Sequence, residues 1–473
     1  MINIETLTIE NTHKALINKE ITVSELVSLY VKRTAEENPK LNAFVEIFTD
    51  LEPQIAYAQK LIDDGSATIL TGIVCAIKDN MLYKNHISAC GSKILENYLG
   101  VYDSEVVSVL KTQGAIIIGR TNMDEFAMGS STETSYFGIT KNPYDIERVP
   151  GGSSGGAAAS VASHCAVFAL GSDTGGSIRQ PASHCNLVGL KPTYGTVSRY
   201  GLIALGSSLD QIGPLTHTVA DAESVFSLLA THDTRESTSV PFMIREKHHV
   251  PLKKKIGVPF HFFENGGVQK EIMDQFNVVL EGMKLSGYEI VPITLDYIHY
   301  SLPVYYIIQP AEASSNLARF DGIRYGMSEK NDSLLDVYMQ TRGKGFGKEV
   351  RRRIMTGTYV LSHGYYDAYY GKALLLKEQI KKELETLFTQ VDVIATPTVA
   401  QTAFRFGEKS GDPIAMYLED IFTVPANITG NPAISIPIGF GEKSLPFGMQ
   451  LIAPHFNEHL LFHIGKDIEK EVQ

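Results

Sequence analysis

Apolar positions at helical spacing open the chain: Leu26, Val27, Tyr30 and Val31 share one face just behind Thr22-Val23-Ser24-Glu25. A threonine followed three residues later by a glutamate is a capping box, so a helix is predicted to start there. A second start signal stands at Thr218-Val219-Ala220-Asp221. From about Thr71 to Ser208 short apolar runs, Gly72–Ile77, Ala115–Ile118 and Ala166–Leu170, alternate with helical stretches. Continuous apolar runs of this length, without polar alternation, predict strands buried on both faces of a parallel or mixed sheet. A more charged strand–helix–strand passage follows from Leu252 to Ile293, then a helical segment over 346–376. Strand-like Val391–Ala395 and two closing strands, Ala433–Ile438 and Gly448–Ile452, complete the pattern.

At 473 residues the chain exceeds a usual domain of about 100–200. No repeat, low-complexity tract or linker divides it, so residues 1–473 are predicted to form one large α/β domain, a mixed β-sheet covered by helices. Net charge is −11, which argues against a sequence-independent grip on nucleic acid through this chain itself. The amino-terminal run has no basic start and apolar core, and no run of about 18 apolar residues exists. Neither a signal peptide nor a membrane span is expected, and the location is expected to be cytoplasmic. Cys75, Cys90, Cys165 and Cys185 show no metal-binding spacing and read as reduced thiols; no metal site is expected.

Candidate chemistry concentrates in two glycine–serine loops. One is Arg148–Ala157, containing GGSSGG; the other is Gly171–Pro181, reading GSDTGGSIRQP. Glycines let a backbone approach a ligand closely, and successive N–H groups in such a turn form an anion-binding concavity. Neither loop carries the Gly-Lys-Ser/Thr of a phosphate cradle. Gly152-Ser153-Ser154-Gly155-Gly156 formally matches a nucleophile elbow, but the polar, proline-broken Glu147–Gly151 is poor strand material to lead into one.

A serine nucleophile needs a base. Lys78 follows the apolar run Val74–Ile77, where desolvation would draw its proton affinity down. Two readings stand here: a general base, or a structural lysine paired with Asp79.

Lys78 in AIKDN and the two loops together resemble the amidase signature family. The spacing agrees: 75 positions separate Lys78 from Ser153 and 24 separate Ser153 from Ser177 (153 − 78 and 177 − 153). The resemblance implies Ser177 as nucleophile and acyl-ester carrier, Ser153 as bridging serine on a cis peptide and Lys78 as general base. It implies an oxyanion hole of N–H groups from Thr174, Gly175, Gly176 and Ser177. Ser154, Asp173 and Arg179 would hold the loops together, and the fold would be a single amidase signature domain with its catalytic motifs within 71–215.

Further stretches are similar to one branch of that family, the glutaminase subunits of tRNA-dependent amidotransferases. They include Asn122–Ser130, Val197–Leu202, Ser207–Pro214, Glu312–Arg319 and Gly364–Tyr370. The branch resemblance implies hydrolysis of glutamine, with Tyr305, Arg353 and Asp420 binding the substrate. It implies a heterotrimer in which a B subunit uses ATP and magnesium to convert Glu-tRNA(Gln) to Gln-tRNA(Gln) and makes most of the tRNA contact. A small C subunit would strap the other two together, and this chain would itself need no cofactor. A free-standing amidase acting on another small amide is the alternative. His184-Cys185-Asn186 departs from the branch, where an aromatic, cysteine and glycine are usual. Asn tolerates a left-handed backbone, so Asn186 is expected to keep a glycine-like turn.

Overall fold

The computed structural model describes residues 3–264 and 267–472. Among these residues eleven strands join in one sheet: β1 Phe44–Ile47, β2 Val74–Lys78, β3 Ile116–Thr121, β4 Phe168–Asp173, β5 Val188–Lys191, β6 Gln211–Thr216, β7 Lys255–Val258, β8 Glu289–Pro292, β9 Val393–Pro397, β10 Ala433–Phe440 and β11 Pro446–Ile452. Their order is β1-β3-β2-β4-β6-β5-β10-β11-β9-β7-β8. The sheet is mixed: β2 runs parallel to both β3 and β4, β9, β7 and β8 are mutually parallel, and the strands between are antiparallel. The predicted α/β architecture is the observed one. Two apolar cores, one around β2, β3 and β4 and one around β7, β9, β10 and β11, lie along the same sheet. That continuity is why no linker divides the chain.

Both capping signals operate as predicted. Thr22 and Glu25 close a reciprocal box at the start of the helix Val23–Leu41. Thr218 Oγ1 accepts from Asp221 N at 3.1 Å at the start of Val219–Leu229. The helical segment over 346–376 divides into Lys348–Val360 and Lys372–Leu387, separated by a turn with Gly364 at φ +87° and a π-helical turn at Asp367–Gly371.

Three strands carry no signal in the pattern. β1 and β5 are four residues each. β6 reads QIGPLT, and its Pro214 lies opposite Leu170 inside the sheet, where proline is rarely tolerated.

The topology places the two loops. Lys78 is the last residue of β2, and Asp173 is the last of the neighbouring parallel strand β4. The lysine and the GGS loop therefore emerge at the same edge of the sheet, the carboxyl ends of parallel strands. The GGSSGG loop reaches that edge from the side, because the helix Gly155–Ala162 starts directly behind Ser154.

Candidate active site

Lys78 Nζ donates to Ser153 Oγ and to Ser154 Oγ, each at 2.8 Å, and to Ser172 O at 3.3 Å. Lys78 and Ser153 have no solvent exposure. Burial lowers the lysine to about 7, against partial opposition from Cys90, Asp124, Asp173 and Asp210. A lysine so poised can take up a proton near neutral pH, which an exposed one at about 10.4 cannot. Pairing of Lys78 with Asp79 is not observed: Asp79 accepts from Arg120 Nη1 at 2.6 Å and from the N–H groups of Ala89 and Gly91. A cis peptide links Gly152 to Ser153. Ser154 does more than join the loops, since its hydroxyl is a direct partner of the lysine.

Asp173 and Arg179 close the second loop upon itself. Both are wholly buried, and Arg179 Nε and Nη2 donate to the two carboxylate oxygens at 3.0 Å each. Ile178 N and Asn427 Nδ2 donate to Asp173 as well, at 3.2 and 2.8 Å. Burial alone would raise this carboxyl, but Arg179 and the hydrogen bonds outweigh it and hold Asp173 at about 2. The rest of the guanidinium is taken up by Thr423 O, Gln450 Oε1 and Asn427 Oδ1.

Between these anchors the chain turns sharply. Gly176 has φ +141°, and a Cβ there would meet Thr423 Oγ1 at 2.2 Å. At Gly175 a Cβ would meet the Tyr305 phenol at 2.7 Å. Thr423 Oγ1 donates to Gly175 O at 2.6 Å, which turns that carbonyl away and fixes the peptide that follows it. Among the described residues the N–H groups of Thr174, Gly175, Gly176 and Ser177 have no protein acceptor, so a row of donors is left beside Ser177. Ser177 is the one member of the Lys78–Ser153–Ser177 set that reaches the surface, at 8% exposure. Its backbone carbonyl accepts from Ser154 N at 3.2 Å, tying the two serine loops together. No hydrogen bond joins the Ser177 and Ser153 hydroxyls among the described residues; such contacts often close only when substrate binds.

The three residues beyond the serine loops gather nearby. Of the three arginines 351–353, Arg353 alone is buried. Its Nε and Nη1 donate to Glu349 and Gln309 at 2.8 Å each, and it lies 5.5 Å from each of the stacked rings of Tyr306 and Tyr417. Asp420 accepts from Ser130 Oγ and from Tyr306 OH at 3.1 Å. Burial raises it to about 7. Tyr305 packs its phenol on Gly175, whereas the hydroxyl that reaches Asp420 belongs to Tyr306. Ser130, Tyr306 and Thr423 join the site without being foreseen from sequence; only Ser130 lies in a stretch that resembles the branch. Ser130 and Arg353 line a cavity of about 420 Å³ whose other walls include Glu349, Lys409 and Tyr417.

The Amidase family model matches residues 25–462. The chain belongs to the amidase family. The amidase is 49% identical over 472 residues to the A subunit of the glutamyl-tRNA(Gln) amidotransferase of Caldanaerobacter subterraneus subsp. tengcongensis, an alignment covering 98% of this chain and 96% of that one. It shares 41% identity with the crystal structure of the corresponding A subunit from Thermotoga maritima, with a TM-score of 0.82 and coverage of 99% and 96%. The native peptide amidase of Stenotrophomonas maltophilia has the same fold at 24% identity, with a TM-score of 0.81 and coverage of 99% and 97%. Asn186 has φ +55°, the left-handed turn expected of it. Among the described residues no helix is long and apolar enough to cross a membrane. No group of three His, Cys, Asp or Glu side chains there is placed to hold a metal ion.

Proposed function

We propose that this chain is the glutamine-hydrolysing subunit of a glutamyl-tRNA(Gln) amidotransferase, with Ser177 as nucleophile. The observation that carries the chemistry is the wholly buried Lys78 Nζ 2.8 Å from Ser153 Oγ. In the neutral form Lys78 draws a proton from Ser153, which takes one in turn from Ser177. Ser177 Oγ then attacks the side-chain amide carbon. Charge building on the carbonyl oxygen is met by the N–H groups of Thr174, Gly175, Gly176 and Ser177. The proton returns along the same relay to the leaving nitrogen, which departs as ammonia and leaves a γ-glutamyl ester on Ser177. Water, deprotonated by the same relay, releases glutamate.

Glutamine carries an α-carboxylate and an α-ammonium. Arg353 supplies a planar cation suited to the first and Asp420 an anion for the second, with the Tyr305 phenol packed against Gly175 beside them. Ammonia would pass to a B subunit that uses ATP and magnesium, with a C subunit completing a cytoplasmic heterotrimer. The net charge of −11 suits a chain that leaves tRNA mainly to its partner, and none of its own steps calls for a cofactor.

The test measures kcat/KM for glutamine and for a simple amide lacking both α-groups in Arg353→Lys and Asp420→Asn. Losses of tenfold or more confined to glutamine are expected, since each buried charged contact contributes on the order of 1.5–3 kcal/mol. Equal losses on both substrates would mean that these residues support the fold and do not read the amino acid. Co-purification with two further chains, together with glutamine hydrolysis, distinguishes this reading from a free-standing amidase.

A further inference from the structure

The helix Lys348–Val360 presents Arg353 to the site but begins on Gly347, a residue with no side chain to cap it. Its own N–H is met from 222 residues away: Gly347 N donates to Glu125 Oε2 at 2.8 Å. Glu125 is buried, and its other oxygen accepts from Ser92 Oγ at 2.5 Å. We propose that Glu125 is a positioning residue for substrate recognition, capping the helix of Arg353 from outside.

Three observations carry this. First, the fit is close at both partners. A Cβ on Gly347 would lie 2.2 Å from Glu125 Oε2, so the carboxylate occupies the space a side chain at the helix start would fill. Burial raises Glu125 to about 7, and in its ionised form it also meets the positive pole of the helix. Second, the first turn of this helix holds the arginine directly, because Glu349 Oε1 accepts from Arg353 Nε at 2.8 Å. A shift of the turn is therefore a shift of the guanidinium. Third, the loop that bears Glu125 is itself under constraint. Phe126 and Ala127, which follow it, sit at φ +49° and +60°, where non-glycine residues are strained. Asp124, which precedes it, accepts from the N–H groups of Ser131, Thr132 and Thr134 and so fixes the segment carrying Ser130, the partner of Asp420. Two adjacent carboxylates thus brace both sides of the pocket, Asp124 on the side of Asp420 and Glu125 on the side of Arg353.

This rests on the reading of Arg353 as the grip for the α-carboxylate, so Arg353→Lys is measured alongside. The full chain, with its partner subunits where activity requires them, is assayed for KM and kcat on glutamine. Glu125→Ala and Gly347→Ala are each expected to raise KM by roughly 2- to 30-fold, the range a lost helix cap gives, while kcat at saturation falls less than KM rises. Glu125→Gln keeps an acceptor oxygen for Gly347 N and is expected to recover most of the loss. Should Glu125→Ala fail to fold, Gly347→Ala decides. An unchanged KM in the folded variants, or a fall in kcat that matches the rise in KM, overturns the proposal. If Arg353→Lys raises KM while the capping variants do not, the reading of Arg353 stands and the bracing role alone falls. If none of the three moves KM, both fall.

Discussion

Thr423 Oγ1 donates to Gly175 O at 2.6 Å, joining the loop that ends in Ser177 to a segment 248 residues further along the chain. The same hydroxyl lies 3.2 Å from Asp420 O, so one side chain touches both the turn beside Ser177 and the residue proposed for the substrate ammonium. Thr423→Val keeps the shape and removes the donor. The donor row beside Ser177 would then lose its set geometry, and kcat is expected to fall roughly 10- to 100-fold, somewhat less than loss of an oxyanion donor itself. Gly176→Ala should be worse, since its Cβ would meet Thr423 Oγ1 at 2.2 Å on a backbone at φ +141°. Steady-state rates on a simple amide check both variants, because that substrate bypasses Asp420.

The Asp173–Arg179 pair bears on stability. Asp173→Asn leaves a buried guanidinium without its anion and should cost about 3–5 kcal/mol, read as a lower urea midpoint at pH 7. The sign of the pH effect follows from a folded-state value of about 2, below the unfolded one. Its stabilisation is present above about pH 4 and is lost as pH falls toward 2. The gap between wild type and Asp173→Asn should therefore narrow across that window. A gap independent of pH would mean that Asp173 is not held as a carboxylate.

In the proposed mechanism two groups that meet the relay and the substrate titrate near neutral pH, and they act in the same direction. Lys78, lowered to about 7, accepts a proton only above that pH. Asp420, raised to about 7, holds an ammonium only when ionised, again above that pH. With glutamine, kcat/KM should rise through neutral pH with the slope of two ionisations. A simple amide that ignores Asp420 should show one. A glutamine profile that falls between pH 6 and 8 would contradict both assignments.

How far the sequence foretells these relationships depends on distance along the chain. The strands β2, β3 and β4 are legible because they are buried on both faces and read as unbroken apolar runs. The two serine loops and Lys78 stand out because glycine-rich turns and a strand-end lysine are local features, but it is the family resemblance that singles out Ser153 and Ser177 within them. Arg353 is named by the branch resemblance; helical geometry adds only that one of three successive arginines can face inward. Asp79 misleads, because the partner that takes it, Arg120, is on the neighbouring strand β3 and not beside it in sequence. Thr423 and Tyr306 leave no trace, since an isolated hydroxyl acquires its role only when a distant carbonyl or carboxylate folds against it. β6 is hidden by Pro214, which local propensity excludes from a sheet interior and which packing between β4 and β5 overrides.

The central claim is that Ser177 carries the acyl group and that Lys78 works on it through Ser153. Peptide-mapped mass spectrometry of the protein quenched during glutamine turnover tests it most directly. A γ-glutamyl ester is expected on the peptide bearing Ser177; it should be absent from Ser177→Ala and should form orders of magnitude more slowly in Lys78→Ala and Ser153→Ala. An adduct on Ser153 or Ser154, or turnover by Ser177→Ala near the wild-type rate, would contradict it.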